Sequence, residues 1–233
     1  MGGEALLRWN HPHRGILTPD AFIELAEGSG EIANIGRWVL GQACELAATI
    51  SRQTGTSMTI GVNVSASDFR RPGFADEVAA LLEHAPIPAE RLKLELTESV
   101  LVDDVRSAIK TLDQLHRTGV KSAIDDFGTG YSSLSYLQDL PVDVLKIDQS
   151  FIRDIGTDPR SEAIVQAVVA LGQALGLDVV AEGIERAQQA RVLRLAGCRR
   201  GQGYYFGRPL EPAKFRQQLE ASNRLGGGQC RTA

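Results

Sequence analysis

Residues 105–126 read VRSAIKTLDQLHRTGVKSAIDD, and this stretch contains a helix signal followed directly by a strand signal. Ile109, Leu112 and Leu115 recur at the spacing of one helix face and predict a helix in its first part. The apolar segment after the helix predicts a strand, and that strand ends in two adjacent aspartates. The stretch therefore predicts one α/β unit with acidic residues where the strand ends.

The same alternation of strand and helix signals extends over most of the chain. Strands are predicted at residues 4–8, 58–64, 91–97, 120–125, 143–147 and 178–181, with a weaker one at 203–206. Helices are predicted at residues 19–27, 35–52, 75–83, 105–117, 161–175, 185–195 and 212–221. Alternating strands and helices predict the α/β class, with a parallel sheet and helices outside it. The length of 233 residues suits a single barrel slightly shorter than the roughly 250 residues typical of that fold.

Composition excludes several classes of protein. With 43% hydrophobic and 23% charged residues, the chain is neither disordered nor fibrous. A net charge of −4 argues against binding a DNA or RNA polymer, so metal ions would have to supply positive charge for a phosphate ester. The three cysteines are far apart, which argues against a disulfide scaffold or a zinc knuckle. The first residues do not have the pattern of a signal peptide and no apolar run is long enough to predict a membrane segment, so we expect a cytoplasmic protein.

Polar side chains lie at or near the carboxyl ends of the predicted strands, where a barrel builds its active site. An acidic residue in an apolar strand is costly to bury unless it is paired or bound to a metal. Oxygen ligands favour Mg²⁺, Mn²⁺ or Ca²⁺, and two adjacent carboxylates could serve the two ions of a phosphoryl-transfer site. The residues with this shared position are Asn63, Glu95, Asp125, Asp126, Lys146, Asp148 and Glu182.

Taken singly, these residues also have ordinary structural interpretations. Glu95 could be a salt-bridged strand residue, and Lys146 could extend its amine to solvent. Asp125 and Asp126 could form a turn, and Asn63 could cap a strand end. The joint pattern favours a shared site, and it predicts a metal-dependent α/β barrel enzyme whose substrate the pattern does not define.

Seven short motifs occur in a fixed order along the chain. They are EALLRW at 4–9, NVS at 63–65, ELTE at 95–98, DDFGTGYSSL at 125–134, KID at 146–148, EGIE at 182–185 and QGY at 202–204. In this order and spacing the chain resembles the EAL domain family, the phosphodiesterases of the bacterial second messenger cyclic di-GMP. The resemblance runs from residue 4 to about residue 210.

The resemblance implies a two-metal site. Glu4, Asn63, Glu95 and Asp125 match the family's ligands for one ion, while Asp125 also bridges to a second ion with Asp126 beside it. It further implies that Glu182 holds the second ion or the attacking water, that Lys146 contacts this water and that Asp148 supports the site from nearby. Arg8 matches a contact to the substrate phosphate, Gln202 a residue near the substrate, and Glu98 the anchor of the DDFG loop.

The implied reaction is metal-dependent hydrolysis of cyclic di-GMP to linear pGpG, with two Mg²⁺ or Mn²⁺ ions and with Ca²⁺ as an inhibitor. Two alternatives stay open: a non-catalytic cyclic di-GMP receptor or interaction module, and an inactive fragment of a larger signalling protein. Homodimers are common in the family, as are fusions to sensory or GGDEF domains, so both are candidate arrangements for a longer native protein.

The resemblance also sets an expectation for the fold. It implies a TIM-like (β/α)₈ barrel of the EAL type, but seven strands are predicted where the barrel has eight, and the missing strand falls before Glu4. A truncated gene product, a fragment and a barrel closed by a partner are all compatible with this pattern. We expect one EAL domain over residues 1–224 and a flexible tail over 225–233.

Overall fold

Strands and helices alternate in the computed structural model, which describes residues 2–101, 104–129 and 137–224. The strands are β1 Gly2–Ala5, β2 Trp9–His11, β3 Gly15–Leu17, β4 Thr59–Val64, β5 Leu92–Thr97, β6 Lys121–Phe127, β7 Val144–Ile147, β8 Asp178–Ala181 and β9 Arg200–Gly201. The helices are α1 Ile23–Ser29, α2 Ile32–Thr54, α3 Ala66–Phe69, α4 Phe74–His84, α5 Val105–Thr118, α6 Gln149–Arg153, α7 Pro159–Ala174, α8 Ala187–Leu195 and α9 Pro212–Arg224. Short 3₁₀ turns occupy Pro19–Ala21, Ala89–Arg91 and Glu98–Leu101.

Seven of these strands form one parallel sheet in the order β1-β4-β5-β6-β7-β8-β9. The sheet curls, and a hydrogen bond of 2.6 Å from Gln202 Nε2 to Glu4 Oε2 connects the end of β9 to β1. Strands β2 and β3 pair separately as an antiparallel hairpin. This architecture confirms the predicted α/β class and the TIM-like arrangement of seven parallel strands.

Strand β5 shows how packing against the helices orients a strand of the sheet. Leu94 and Leu96 of β5 are fully buried in the core together with Leu112 and Leu115 of α5. Glu95 lies between the two leucines in sequence and therefore faces the opposite side of the sheet, toward the barrel interior. The apolar packing thus fixes which residues of this strand face inward.

Local capping explains why the predicted helices form where they do. Helix α5 begins after Asp104, whose side chain accepts a hydrogen bond from the Ser107 backbone N–H. It ends at Gly119, whose φ of 89° is the left-handed conformation that a glycine adopts without steric cost. The helix predicted at 105–117 is confirmed, as are the other long helices to within a few residues at each end.

Two predictions at the ends of the sheet were wrong in their positions. The last strand is β9 at Arg200–Gly201, and residues 203–206 form a turn. Gly203 has a φ of 149°, and a Cβ there would collide with the backbone of Ile184, whose carbonyl accepts the Tyr205 N–H. Glycine therefore permits a close backbone approach that a strand would not make. At the other end, β1 is Gly2–Ala5, earlier than the predicted 4–8.

Two further features of the N-terminal region differ from the prediction. The helix predicted at 19–27 is divided into a 3₁₀ turn and α1, because Phe22 between them has φ −148° and ψ −12°, outside the helical range. The hairpin of β2 and β3 was not predicted, since each strand has only three residues and two of those three are exposed.

Two predicted segments lie outside the described residues: the tail at 225–233 and residues 130–134 of the DDFGTGYSSL motif. The domain span of 1–224 stays a prediction. In the three ranges that the structure describes, every helix is too short or too polar to traverse a bilayer.

Candidate active site

Seven of the predicted site residues converge at one end of the curled sheet. Because β1 and β4 to β9 are parallel, their carboxyl ends meet at one mouth of the barrel. Asn63 of β4 and Glu95 of β5 are direct neighbours across the two strands. The side chains that the structure brings together there are Glu4, Asn63, Glu95, Asp125, Lys146, Glu182 and Gln202.

Lys146 lies at the centre of this group and is almost completely buried. Its Nζ is 2.5 Å from Glu95 Oε2, 2.8 Å from Asp125 Oδ2 and 2.7 Å from Glu182 Oε1. Burial alone favours the neutral amine, but the surrounding carboxylates outweigh it and raise the pKa of Lys146 above its ordinary value. Lys146 is therefore an internal cation that joins three strands.

Glu95 is held at both of its oxygens. Its Oε2 accepts a hydrogen bond from Lys146, and its Oε1 is 2.7 Å from the amine of Lys93. Burial favours the protonated carboxyl, yet the two lysines together hold the pKa of Glu95 below its ordinary value. Glu95 is thus an ionised carboxylate in a buried position.

A β-bulge brings Asp125 and Asp126 into the same site. Consecutive strand residues normally point to opposite faces, but the pairing of β6 with β7 shifts register between Ile124 and Phe127. Asp126 has a φ of 54°, a conformation that L-residues rarely adopt. As a result, oxygens of Asp125, Asp126 and Glu182 lie within 4.8 Å of one another. Backbone strain of this kind is typical of functional sites.

Asp126 and Asp148 form a second pair of acidic residues beside the bulge. Burial is the main reason that the pKa of Asp126 rises to about 6, and the nearby charges of Asp125 and Asp148 add to the effect. Asp148 caps α6, accepting the Ser150 backbone N–H at 2.9 Å. Burial opposes its ionisation, but hydrogen bonds from Ser150 outweigh this and lower the pKa of Asp148. The structure therefore places Asp148 in hydrogen-bond contact with Asp126.

The carboxylate of Glu4 accepts hydrogen bonds from two side-chain amides. Asn63 Nδ2 donates to Glu4 Oε1 at 2.5 Å, and Gln202 Nε2 donates to Glu4 Oε2 at 2.6 Å. These contacts connect the Glu4 carboxylate of β1 to β4 and to the end of β9. Two predicted metal ligands, Glu4 and Asn63, are therefore neighbours.

The site contains more negative than positive charge. Among the described residues, the site has six carboxyl groups and two ammonium groups, those of Lys93 and Lys146. Glu182 Oε1 is buried 2.7 Å from the Lys146 ammonium group. Burial together with the charges of Asp125 and Glu4 raises the pKa of Glu182, although Lys146 acts to lower it. An all-oxygen donor set with unbalanced negative charge fits a divalent cation. The six carboxyl groups are those of Glu4, Glu95, Asp125, Asp126, Asp148 and Glu182.

Glu98 and Arg8 lie apart from this group. Glu98 is buried at the end of β5, and its Oε2 accepts the Gly128 backbone N–H at 3.1 Å, which ties the residues after β5 to the loop that follows β6. Arg8 is exposed, and its Nη1 donates to the Leu7 carbonyl at 2.6 Å. The structure thus places the predicted anchor against its loop, but it does not bring Arg8 into the acidic site.

Lys93 belongs to the site although it was not among the predicted site residues. The signal that could have identified it is the alternation of strand residues, since Lys93 is two positions before Glu95 and shares its face of β5. The ion pair of 2.7 Å between them confirms this shared face.

Two bacterial proteins from Pseudomonas aeruginosa are similar to nearly the whole chain. "Cyclic di-GMP phosphodiesterase NbdA" is 45% identical over 218 residues, which cover 94% of this chain and 28% of NbdA. "Bifunctional diguanylate cyclase/cyclic di-GMP phosphodiesterase MucR" is 46% identical over 223 residues, which cover 95% of this chain and 32% of MucR. The chain therefore spans about a third or less of the length of these relatives.

A solved structure described as "PaMucR Phosphodiesterase, c-di-GMP complex" has the same fold. It superposes with a TM-score of 0.87 at 43% sequence identity and covers 91% of this chain and 86% of that one. The EAL domain family matches residues 1–209. Given this match over most of the chain, and relatives more than 40% identical to it, the chain belongs to the EAL domain family.

Proposed function

We propose that this chain hydrolyses cyclic di-GMP to linear pGpG with the help of two divalent cations. The observation that carries the proposal is the acidic site at the barrel mouth, where six carboxyl groups exceed the charge of two lysines. The names of similar proteins, which describe cyclic di-GMP phosphodiesterases, support the choice of substrate. Mg²⁺ and Mn²⁺ are the ions that this oxygen donor set would favour.

The proposed ligands divide into two groups that share Asp125. Glu4, Asn63, Glu95 and Asp125 would hold one ion, and Asp125, Asp126 and Glu182 would hold the other. When bound, such ions offset the charge of a phosphodiester and make a nearby water more acidic. The bulge at Asp125 and Asp126 supports this division, because it lets two consecutive carboxylates serve one site.

The role proposed for Lys146 is to position the reacting groups. Its buried ammonium group, held by Glu95, Asp125 and Glu182, would orient the attacking water and stabilise negative charge on the phosphoryl oxygens. The water oxygen would form a bond to phosphorus and lose a proton, while the bond from phosphorus to the 3′-oxygen breaks and that oxygen gains a proton to leave as a hydroxyl group. The product is a linear dinucleotide with a 5′-phosphate. Asp148 would orient Asp126 through their contact.

Residues at the rim would bind the remainder of the substrate. Arg8 is exposed and close in sequence to Glu4, so its guanidinium group is available to a substrate phosphate. Gln202 would act mainly by fixing Glu4, to which it donates a hydrogen bond.

The test is direct: purified chain is incubated with cyclic di-GMP and Mg²⁺ or Mn²⁺, and pGpG is followed by chromatography. We expect pGpG to accumulate with either ion and to disappear when the ions are removed with EDTA. Binding of cyclic di-GMP without turnover would contradict the enzymatic proposal and support the receptor alternative. A chain that is folded but neither binds nor hydrolyses cyclic di-GMP would contradict both.

A further inference from the structure

Lys93 is a charged residue in the barrel interior for which the proposed reaction supplies no role. It is only about one-fifth exposed, and its Nζ lies 2.7 Å from Glu95 Oε1. Lys146 Nζ binds the other oxygen, Oε2, at 2.5 Å. The Glu95 carboxylate is therefore held at both ends, with one lysine on each oxygen.

Gly61 provides the space for this arrangement. It is the cross-strand neighbour of Lys93 on β4. A Cβ at Gly61 would collide with Glu95 Oε1 and would lie 3.3 Å from Lys93 Cε. Gly61 is not among the glycines with positive φ, so the backbone conformation there does not require glycine. What requires it is the ion pair that lies over its Cα.

We propose that Lys93 is a positioning residue that holds Glu95 Oε1 against β4, so that Oε2 faces the cation site. The inference rests on the proposed function, in which Glu95 is a metal ligand. In this arrangement Lys93 does not touch a metal or the substrate but acts through Glu95. Residues that orient a metal-ligating side chain by pairing with it typically contribute 10- to 100-fold to metal affinity.

Loss of Lys93 would leave Glu95 Oε1 buried without its cation. The carboxylate would then rotate toward another donor, and its orientation at the metal site would be lost. A plain structural ion pair would behave differently, because its removal would lower the stability of the fold and leave metal affinity unchanged. Metal affinity therefore separates the two interpretations.

The experiment compares Mn²⁺ binding by the wild-type chain and by Lys93→Met, measured by isothermal titration calorimetry without substrate. Methionine keeps an unbranched apolar stem but removes the charge. We expect the Kd for Mn²⁺ to rise about 10-fold or more in Lys93→Met and to return to within about 3-fold of wild type in Lys93→Arg. Lys121→Met is the matched control, since Lys121 pairs with Asp143 at the opposite end of β6 and should leave the Kd unchanged.

Gly61→Ala gives a second test that changes no charge. The added methyl group would push the end of the Glu95 side chain away from Lys93, and we expect weaker Mn²⁺ binding in this variant too. If Lys93→Met does not fold, the Kd for Mn²⁺ is compared between the wild type, Gly61→Ala and Lys93→Arg. Wild-type affinity for Mn²⁺ in both Lys93→Met and Gly61→Ala would overturn the inference.

The result is independent of whether cyclic di-GMP is the substrate. If the wild-type chain binds Mn²⁺ but does not hydrolyse cyclic di-GMP, the proposed function fails while the comparison of Mn²⁺ affinities still decides the role of Lys93. If the wild-type chain hydrolyses cyclic di-GMP and Lys93→Met binds Mn²⁺ normally, only the role of Lys93 fails. Absence of Mn²⁺ binding by the wild-type chain would overturn both.

Discussion

Two clusters of charged side chains in this molecule differ in how their charges balance. The first is the acidic site at the barrel mouth around Lys146. The second, which we call the Arg71 network, consists of Arg37, Asp68, Arg71 and Glu77 and connects α2, the α3 region and α4. Arg71 donates to both oxygens of Glu77 at 2.7 and 2.9 Å and to Asp68 at 3.0 Å, while Arg37 donates to Glu77 at 3.1 Å.

The Arg71 network has two positive and two negative side chains, so its charges cancel. Among the described residues, the mouth has six carboxyl groups and two ammonium groups, and the Lys146 ammonium group is shared by Glu95, Asp125 and Glu182. One carboxyl group of each cluster illustrates the difference, since the pKa of Glu77 is lowered and that of Asp126 is raised. Hydrogen bonding to Arg71 is the main cause that lowers the pKa of Glu77 to about 2, whereas burial raises the pKa of Asp126 to about 6. A balanced cluster stabilises the fold, while an unbalanced one is suited to binding a cation.

The largest expected effect is that of Asp125→Asn, which removes the carboxylate proposed to be shared by both ions. We expect cyclic di-GMP hydrolysis to fall by roughly 10³-fold or more, because metal ions supply several kcal/mol of transition-state stabilisation and each 1.36 kcal/mol is worth tenfold. The variant should fold in EDTA at least as well as the wild type, since it has one fewer competing charge. Product assays and thermal melts measure the two effects. Retained hydrolysis would contradict the two-metal proposal.

The next effect concerns the anchor of the loop after β6. Glu98→Ala removes the acceptor of the Gly128 N–H, and we expect hydrolysis to fall by roughly 10- to 100-fold with little loss of fold. Glu98→Gln keeps an acceptor oxygen and should recover most of the loss. Measurement of kcat and KM for both variants distinguishes a positioning role from general damage. Unchanged turnover in Glu98→Ala would remove the anchor assignment.

A smaller effect, and one on stability alone, is expected in the Arg71 network. Arg71→Met leaves Asp68 buried without its cationic partner, and we expect the free energy of unfolding to fall by about 1–3 kcal/mol. The affinity for Mn²⁺ should not change, because the hydrogen bonds that define the network join its own four members and include no proposed metal ligand. Urea denaturation and calorimetry of the same preparation test both statements. A change in Mn²⁺ affinity would show that the two clusters are coupled.

The smallest effect is on pH dependence. Because the pKa of Glu77 is lowered in the fold, its contribution to stability is complete above its ordinary pKa and is lost as the pH falls toward about 2. Glu77 is more than a third exposed, so we expect less than about 1 kcal/mol. Urea denaturation between pH 5 and pH 3 should show a smaller decline for Glu77→Gln than for the wild type. Glu83→Gln, an exposed neighbour on α4, serves as the control; equal declines in all three chains would contradict the assignment.

The sequence predicted the general location of the site because the rule behind it is geometric. Parallel strands bring their carboxyl ends together, so Asn63, Glu95, Asp125 and Lys146 could be placed at one mouth before any contact was known. The individual contacts could not be predicted. That Lys146 would lie among three carboxylates depends on side-chain length and on the curvature of the sheet, and neither is encoded in spacing along the chain.

The errors in the fold prediction have physical causes as well. The segment 203–206 contains aromatic residues that favour a strand, but the close contact of Gly203 with Ile184 holds it in a turn. The bulge at Asp126 was also not predicted, because a positive φ at a non-glycine residue runs against local preference. Tertiary contacts override the local signal at both positions.

The hydrogen bond from Gln202 to Glu4 has a consequence for the order of events during synthesis. The two residues are 198 positions apart, so this contact has a very long separation in sequence. On the ribosome, β1 emerges long before Gln202, and Glu4 lacks this donor until nearly the whole domain has been translated. The proposed ligand Glu4 therefore gains one of its two amide donors only late in synthesis, and until then we expect its carboxylate to be held less firmly.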